Sequence, residues 1–450
     1  MDNLSTINTY AFVLGREREL CLAELKAVFF RFGFCFPPEF GRGVGDNSLA
    51  DNVAFINIKR TDDRLNESTD DEYMDLDIRV AQMMKILGGT IKIFKIIGPM
   101  TNNIKSTLEN YIENNLKKEG KFNFALSSYS TKFDQRRINS LGLEMKKDFK
   151  GKYSSRFVQL REGKEVSTIL SLKSKLVDEG FEFGLFNESI GILVATTDPV
   201  EWSVRDYEKP AGDKYSGMLP PKVARMMINL ALGCHSRLDL ESRKVTGLDP
   251  RVKPEDDKAS CLVVDPFCGS GNILLEAMVL GCDVFGSDVS AKAVRDSQEN
   301  VEWLEQSQNY KAKVKIITAD ATSADFISLI ENYKFKIANY DCMAVVCEPY
   351  LGEPKKYKPS LSAARGEYKK IKEIYLNFFN NLLALQTNKM SLTFCIVFPL
   401  VETIEGTQYS LYRDCVDEIK KIGYTELRFP LIYGRDYQVV KREIALLTLN

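Results

Sequence analysis

Apolar positions along the chain switch between two periods. Residues 9–15, 53–58, 90–97 and 122–129 are dense in β-branched and aromatic side chains and read as strands. Over 16–32 the apolar residues Leu20, Ala23, Ala27, Val28 and Phe30 fall at helical spacing, and Gly33 ends the run. Residues 103–117 and 138–149 also read as helices, the second with Leu141, Met145 and Phe149 on one face. Two short runs, 183–186 and 190–195, read as a closing strand pair. Further on, Val223, Met226, Met227 and Leu230 make one face of a helix behind Pro220 and Pro221, a place where proline costs no hydrogen bond. After it come apolar runs at 261–264, 283–287, 314–318, 342–347 and 392–398, separated by helical stretches. That alternation predicts a parallel sheet covered by helices on both faces.

Three segments break the pattern. Residues 59–77 are polar and acidic, with eight acids and one arginine over 61–77, and read as an exposed excursion. Residues 202–214 read as a polar connection. Residues 234–260 carry two prolines, dense charge and few large apolar side chains, so they cannot bury much and read as an inserted loop. That loop resembles the translated palindromic repeats inserted in some bacterial genes. The one histidine of the chain, His235, falls inside it, which excludes a histidine-based metal site or triad.

At 450 residues the chain has room for two or three domains. The ten cysteines show no paired spacing, which predicts reduced thiols and a cytoplasmic protein. No apolar run has membrane-spanning length and no secretory signal opens the chain, so no membrane role is expected. Net charge is −1, but its distribution is uneven. Residues 116–175 hold fifteen Lys or Arg against six Asp or Glu. Lys146, Lys147, Lys150, Lys152 and Arg156 in that block are candidates for tracking RNA phosphates. The same block also reads as a solvated helical face.

The chemistry concentrates where the first strand of the alternating region ends. Asp265-Pro266-Phe267-Cys268-Gly269-Ser270-Gly271 makes a turn from strand to helix. Such a turn aims backbone N–H groups at a ligand, and glycine allows close approach. Asp288 ends the next strand, where an acid commonly holds a ribose. The G-x-G-x-x-G spacing of dinucleotide oxidoreductases is absent.

This word resembles the first motif of class I methyltransferases that use S-adenosylmethionine, and most of all the branch that modifies nucleic-acid amino groups. Three further stretches agree. The opening, residues 10–25, and the run Lys209-Pro210-Ala211 with residues 217–225 resemble the THUMP-containing tRNA guanosine N2-methyltransferases that modify position 10. So does the stretch 431–438 followed by Arg442-Glu443-Ile444, which is similar to their carboxy-terminal strand pair. The resemblance implies an α/β chain: a ferredoxin-like α+β domain over 1–98, a THUMP RNA-binding domain over 99–197 and a Rossmann-like methyltransferase domain over 198–450, with 234–260 as an inserted loop. It implies S-adenosyl-L-methionine as cofactor and tRNA as partner. A small activator subunit, if the family brings one, is not readable from the sequence. The cofactor would lie against Asp265, Pro266, Phe267, Cys268, Gly269, Gly271, Asp288 and Leu219, with Asp320 near its adenine.

One motif departs from the family. Its catalytic strand ends in Asp/Asn-Pro-Pro-aromatic; here it ends in Glu348-Pro349-Tyr350. The chemistry needs an acceptor for an exocyclic amine and a platform for a flat base. Glu348 and the carbonyl of Pro349 can supply the first and Tyr350 the second. Glutamate is one methylene longer than aspartate, and the aromatic stands one place early. Other readings therefore stay open: a DNA or ribosomal-RNA amino-methyltransferase, or an RNA-binding homologue impaired in catalysis.

Overall fold

A computed structural model describes residues 7–31, 52–59, 76–116, 121–212, 218–238, 261–332, 340, 342–385 and 391–449. It divides into two compact units. One comprises Met1–Leu22 with Phe34–Glu201; the other comprises Ala23–Gly33 with Trp202–Asn450.

The first unit is built on strands β1 (Ile7–Leu14), β2 (Val53–Lys59), β3 (Thr90–Pro99), β4 (Lys121–Ser128), β5 (Ser154–Phe157), β6 (Phe181–Leu185) and β7 (Ser189–Thr196). Helix α1 (Arg18–Arg31) starts in it, and α2 (Leu76–Gln82), α3 (Ile104–Asn115), α4 (Gln135–Asp148) and α5 (Thr168–Lys173) follow. The strands form a single mixed sheet in the order β2-β1-β3-β7-β6-β4-β5. The antiparallel β3–β7 ladder, with Phe94 opposite Leu193, joins the segments before and after residue 98. The boundary expected at 98/99 thus falls at the end of β3.

The acidic excursion is corrected at its ends, where Lys59 closes β2 and Leu76 and Asp77 open α2. Asp77 lies on α2 and accepts from Lys95 Nζ (2.8 Å) and the Tyr10 hydroxyl (2.5 Å). Its residues 60–75 lie outside the described chain. Within α4, Gly142 is dictated by packing: a Cβ there would stand 2.1 Å from the Phe157 ring on β5.

The second unit adds α6 (Pro199–Ser203, whose last two residues belong to it), α7 (Pro221–Leu238), β8 (Cys261–Asp265), α8 (Asn272–Val279), β9 (Asp283–Asp288), α9 (Ala291–Gln308), β10 (Val314–Thr318), α10 (Phe326–Asn332) and β11 (Cys342–Cys347). It ends with α11 (Leu361–Leu382), β12 (Ser391–Glu402), β13 (Gln408–Ser410), α12 (Leu411–Ile422), β14 (Tyr424–Tyr433) and β15 (Val440–Leu449). Its strand order is β10-β9-β8-β11-β12-β15-β14, with β13 on β12. The first five strands are parallel, and β15 and β14 close the edge antiparallel. The chain order reverses at β8, so the crevice beyond the carboxyl ends of β8 and β11 is the switch point where doubly wound sheets bind ligands. β8 and β11 are buried along their whole length, as a near-continuous apolar run requires.

Three expectations are corrected here. His235 lies in helix α7 rather than in a loop; of the expected insertion, residues 239–260 are outside the described chain. The stretch from Trp202 is no plain polar connection, because Trp202, Arg205 and Lys209 are all buried. Not every thiol is free: Cys261 and Cys342, register partners on β8 and β11 with Cα atoms 4.8 Å apart, are joined in a disulfide. The pair is 81 residues apart in sequence, so no local spacing announces it.

Candidate active site

Four strand ends meet the crevice. Asp265 ends β8, Asp288 ends β9, Asp320 follows β10 and Glu348 follows β11. Asp265 is 1% exposed. Burial pushes its carboxyl well above the usual carboxylate range; the main-chain N–H of Phe267 (3.1 Å) opposes that, and the charges of Asp288 and Glu348 add to it. Two acids therefore act on one buried carboxyl, and a cation bound beside it would relieve that.

The turn after Asp265 is held by its own backbone. Gly269 sits at φ +52° and Gly271 at φ +87°, a region that favours glycine. A Cβ at Gly269 would meet nothing within 4 Å, so this is the open wall of the turn. At Gly271 a Cβ would stand 2.4 Å from Ser297 Oγ on α9. Its need for glycine is internal packing, rather than the crowding of a ligand that a glycine turn suggests. Gly269 N–H donates to Asp288 Oδ2 (3.1 Å), and Ser290 N–H donates to Asp288 Oδ1 (2.8 Å). Cys268 is buried, and burial pushes its thiol well up, which suits packing and not nucleophilic attack. Ser287 Oγ donates to the Pro266 carbonyl (3.1 Å), and Phe267 packs edge-on against Phe378 at 5.1 Å. Asp320 is exposed, and its Oδ1 accepts from Thr322 N–H (2.8 Å) and the Thr322 hydroxyl (2.7 Å).

Residues that the sequence did not single out hold this turn. Asn300 Nδ2 donates to the carbonyls of Ser270 (2.8 Å) and Ala211 (2.7 Å), and its Oδ1 accepts from Ala211 N–H (2.9 Å). Asn272 Nδ2 donates to the Leu219 carbonyl (2.7 Å), and Lys209 Nζ donates to Asn272 Oδ1. Lys209, Ala211 and Leu219 are thus fastened to the glycine turn by two asparagines. Below it, Glu276 on α8 takes Arg205 on one oxygen (2.7 Å) and Arg225 on the other (2.8 Å), all three buried. Both guanidiniums lie over the Trp202 ring, at 4.6 and 5.0 Å.

The β11 end is built differently. Glu348 faces Arg442 of β15 in a two-pronged ion pair: Arg442 Nη2 donates to Glu348 Oε1 (3.0 Å) and Nε donates to Oε2. The side chains keep 18% and 8% exposure. Burial alone would lower the Arg442 guanidinium; the Glu348 carboxylate outweighs it and holds it above its ordinary value. Each Glu348 oxygen retains a second lone pair. Pro349 is buried, while Tyr350 is 48% exposed and its hydroxyl donates to Glu353 (2.9 Å). The loop is pinned to α11: Tyr368 Oη donates to the Leu351 carbonyl (3.0 Å), and Lys355 pairs with Glu367 (2.6 Å).

The candidate RNA contacts belong to the first unit. Lys146 and Lys147 end α4, Lys150 and Lys152 follow it and Arg156 lies on β5; all five are exposed.

Strand order, glycine turn and strand-end acids define a Rossmann-like class I methyltransferase fold. No family model matches the chain. Two curated relatives carry the name tRNA (guanine(10)-N2)-dimethyltransferase. The one from Methanothermobacter thermautotrophicus is 33% identical over 88 residues, 20% of this chain and 19% of its own length. The one from Methanocaldococcus jannaschii is 26% identical over 246 residues, 52% of this chain and 57% of its own length. The resemblance read from the motifs is therefore borne out, over about half the length of the longer match. Among solved structures, TrmN from Thermus thermophilus aligns over 99% of this chain and 100% of its own, at 14% identity and a TM-score of 0.47. Among the described residues no group of acids, cysteines or histidines is placed to hold a metal, and no helix is long and apolar enough to cross a membrane.

Proposed function

We propose that the chain transfers a methyl group from S-adenosylmethionine to the N2 amine of a guanosine in tRNA. The observation that carries this reading is the single edge shared by Asp265, the glycine turn, Asp288 and Glu348-Pro349-Tyr350, in a chain related to enzymes of that name. The residues fit the cofactor: the turn is open at Gly269, and a buried Asp265 carboxyl that feels the charges of Asp288 and Glu348 suits a ligand with a sulfonium and an ammonium. When bound, S-adenosylmethionine supplies a methyl on positively charged sulfur, which leaves as a neutral thioether.

The chain's own part is alignment and proton handling. Asp288 and the Gly269 wall orient the ligand. The Pro349 carbonyl and the remaining lone pairs of Glu348 accept the two amine hydrogens and point the nitrogen at the methyl. As the new N–C bond forms, nitrogen becomes positive and releases one proton toward the Glu348 carboxylate. Tyr350 offers its face to the purine. Arg442 fixes the longer glutamate in one place, and in doing so offsets part of its charge.

The segments 1–98 and 99–197 are proposed as the ferredoxin-like and THUMP domains, with Lys146, Lys147, Lys150, Lys152 and Arg156 against tRNA phosphates. The reading places the enzyme in the cytoplasm. A compartment that keeps thiols reduced would open the Cys261–Cys342 disulfide, so alkylation of freshly lysed cells that finds this pair still joined would count against the placement.

The grip of Arg442 on Glu348 favours one second reading, a tRNA-binding protein without turnover. Mass spectrometry of tRNA nucleosides from a strain lacking the gene separates the two. Loss of N2-methylated guanosine supports the enzyme; an unchanged set of methylated nucleosides supports the alternative.

A further inference from the structure

The sheet of the second unit has a seam, and a cross-link sits on it. Strands β10, β9 and β8 form one wing, built from the continuous stretch 261–318. Among the described residues, this wing pairs with the rest of the sheet through a single ladder, β8 on β11, from Cys261 opposite Cys342 to Val264 opposite Val345. Asp265, the glycine turn and Asp288 ride on the wing, while Glu348 follows β11 on the other side of the seam. The disulfide joins the first pair of that ladder. Its two cysteines are 81 residues apart in sequence, so the span it closes holds the whole wing.

Placement selects this pair from the other thiols. Six further described cysteines are free and buried. Cys347 and Cys395 also lie on neighbouring strands, β11 and β12, but Cys347 stands opposite Ile396 and Cys395 opposite Val346. An offset of one residue turns two side chains to opposite faces of a sheet, so these two do not meet. Cys261 and Cys342 are in register and share a face. Their Cα atoms are 4.8 Å apart, the ordinary spacing of neighbouring strands, so the strands stay in place whether the bond is open or closed. Both are the first residues of their strands, and they keep 5% and 9% exposure. Strand ends open locally more often than strand centres, which gives a small thiol or disulfide its access.

We propose that Cys261 and Cys342 form a redox-sensitive staple on this wing, open where thiols are kept reduced and closed when a small-molecule disulfide accumulates. Closure takes two exchanges. One protein thiolate attacks the small disulfide, forms a mixed disulfide and releases one small thiolate. The other protein thiolate attacks the protein sulfur of that mixed bond and releases the second. The two protein thiols give up two protons and two electrons, and the small disulfide becomes two thiols. Closing the span takes conformational freedom from the opened wing and leaves the folded wing as it was, so the closed form resists opening. The staple acts whatever the crevice binds.

The test uses the full chain, equilibrated with reduced or with oxidised glutathione and digested briefly with trypsin under native conditions. Non-reducing peptide mapping should recover Cys261 and Cys342 in one linked peptide after the oxidised treatment alone. Cleavage within 266–341 should then slow at least about tenfold, within reach of the usual gain from one cross-link. Cleavage within the first unit should keep its rate. Cys342→Ser should be cut at the reduced wild-type rate under both treatments. The wild type is compared with itself, so the result stands even where that variant fails to fold. No linked peptide, a linked peptide that survives reduced glutathione, a smaller slowing, or equal slowing in both units each overturns the staple. Protection that persists in a folded Cys342→Ser chain overturns it too.

Discussion

The two ends of the crevice are held together by different means. At the β8 end the turn itself is local: Asp265, the two glycines and Asp288 lie within one βαβ unit, and only its outer ties, from Asn272 and Asn300 to Lys209, Leu219 and Ala211, reach 53 to 89 residues back. At the β11 end the fastening is remote, since Glu348 and its partner Arg442 are 94 residues apart. A cofactor end made of backbone geometry tolerates few residue types, because positive φ and close approach admit little but glycine. A substrate end made of side chains can drift, provided that a distant residue drifts with it. The longer acid in Glu348-Pro349-Tyr350 is tolerable because Arg442 sets where its carboxylate sits.

The comparison breaks most sharply if the buried support is removed. Glu276→Gln should leave two buried guanidiniums without their carboxylate, costing about 3–5 kcal/mol. Denaturant unfolding should show that loss, and a cost under about 1 kcal/mol would mean the triad does not carry the β8 end.

Next comes the remote pair. Glu348→Gln and Arg442→Met should each cost up to about 3 kcal/mol, the low end of the range for a severed pair, because Glu348 keeps partial exposure. The double variant should cost clearly less than the sum, and additive losses would mean that the pair does not act as a unit. This also changes how turnover is read. Glu348→Gln alone strands Arg442, so its kcat must be compared with that of the double variant.

Gly271→Ala should destabilise by about 1–2 kcal/mol from its backbone conformation alone, plus the clash with Ser297. Adding Ser297→Gly should recover the clash but not the rest. Full recovery would show that the positive φ is costless there.

The smallest effect sharpens the electrostatics. The Asp265 carboxyl is raised in the fold, so its contribution is fully present below the ordinary carboxylate pKa and is lost as pH rises toward the folded value. Asp265→Asn should therefore raise the ligand-free melting temperature more at pH 8 than at pH 5. An equal shift at both would mean that burial does not hold the proton.

The sequence was legible where structure follows from neighbours. All five parallel strands of the second unit lie where the apolar runs predict them, within a few residues at each end. Asp265, Gly269 and Asp288 do meet at one strand edge. What escaped is what depends on partners far along the chain. Trp202, Arg205 and Lys209 read as polar connection because their burial depends on Glu276 and Asn272, which nothing nearby announces. His235 read as loop because its polar neighbours hid the continuation of α7. Asn300 looks like any helix-surface amide until Ala211 and Ser270 are brought to it. Arg442 carried the one available signal: an arginine on a strand otherwise buried, opposite an acid one methylene too long.

The most direct test of the account follows the methyl group itself. Purified full-length chain is given S-adenosylmethionine with a deuterated methyl and unmodified tRNA transcript, and the digested nucleosides are weighed by mass spectrometry. The account predicts the label in N2-methylated guanosine for the wild type. Label in any other nucleoside, or in none while tRNA and cofactor both bind, would contradict it.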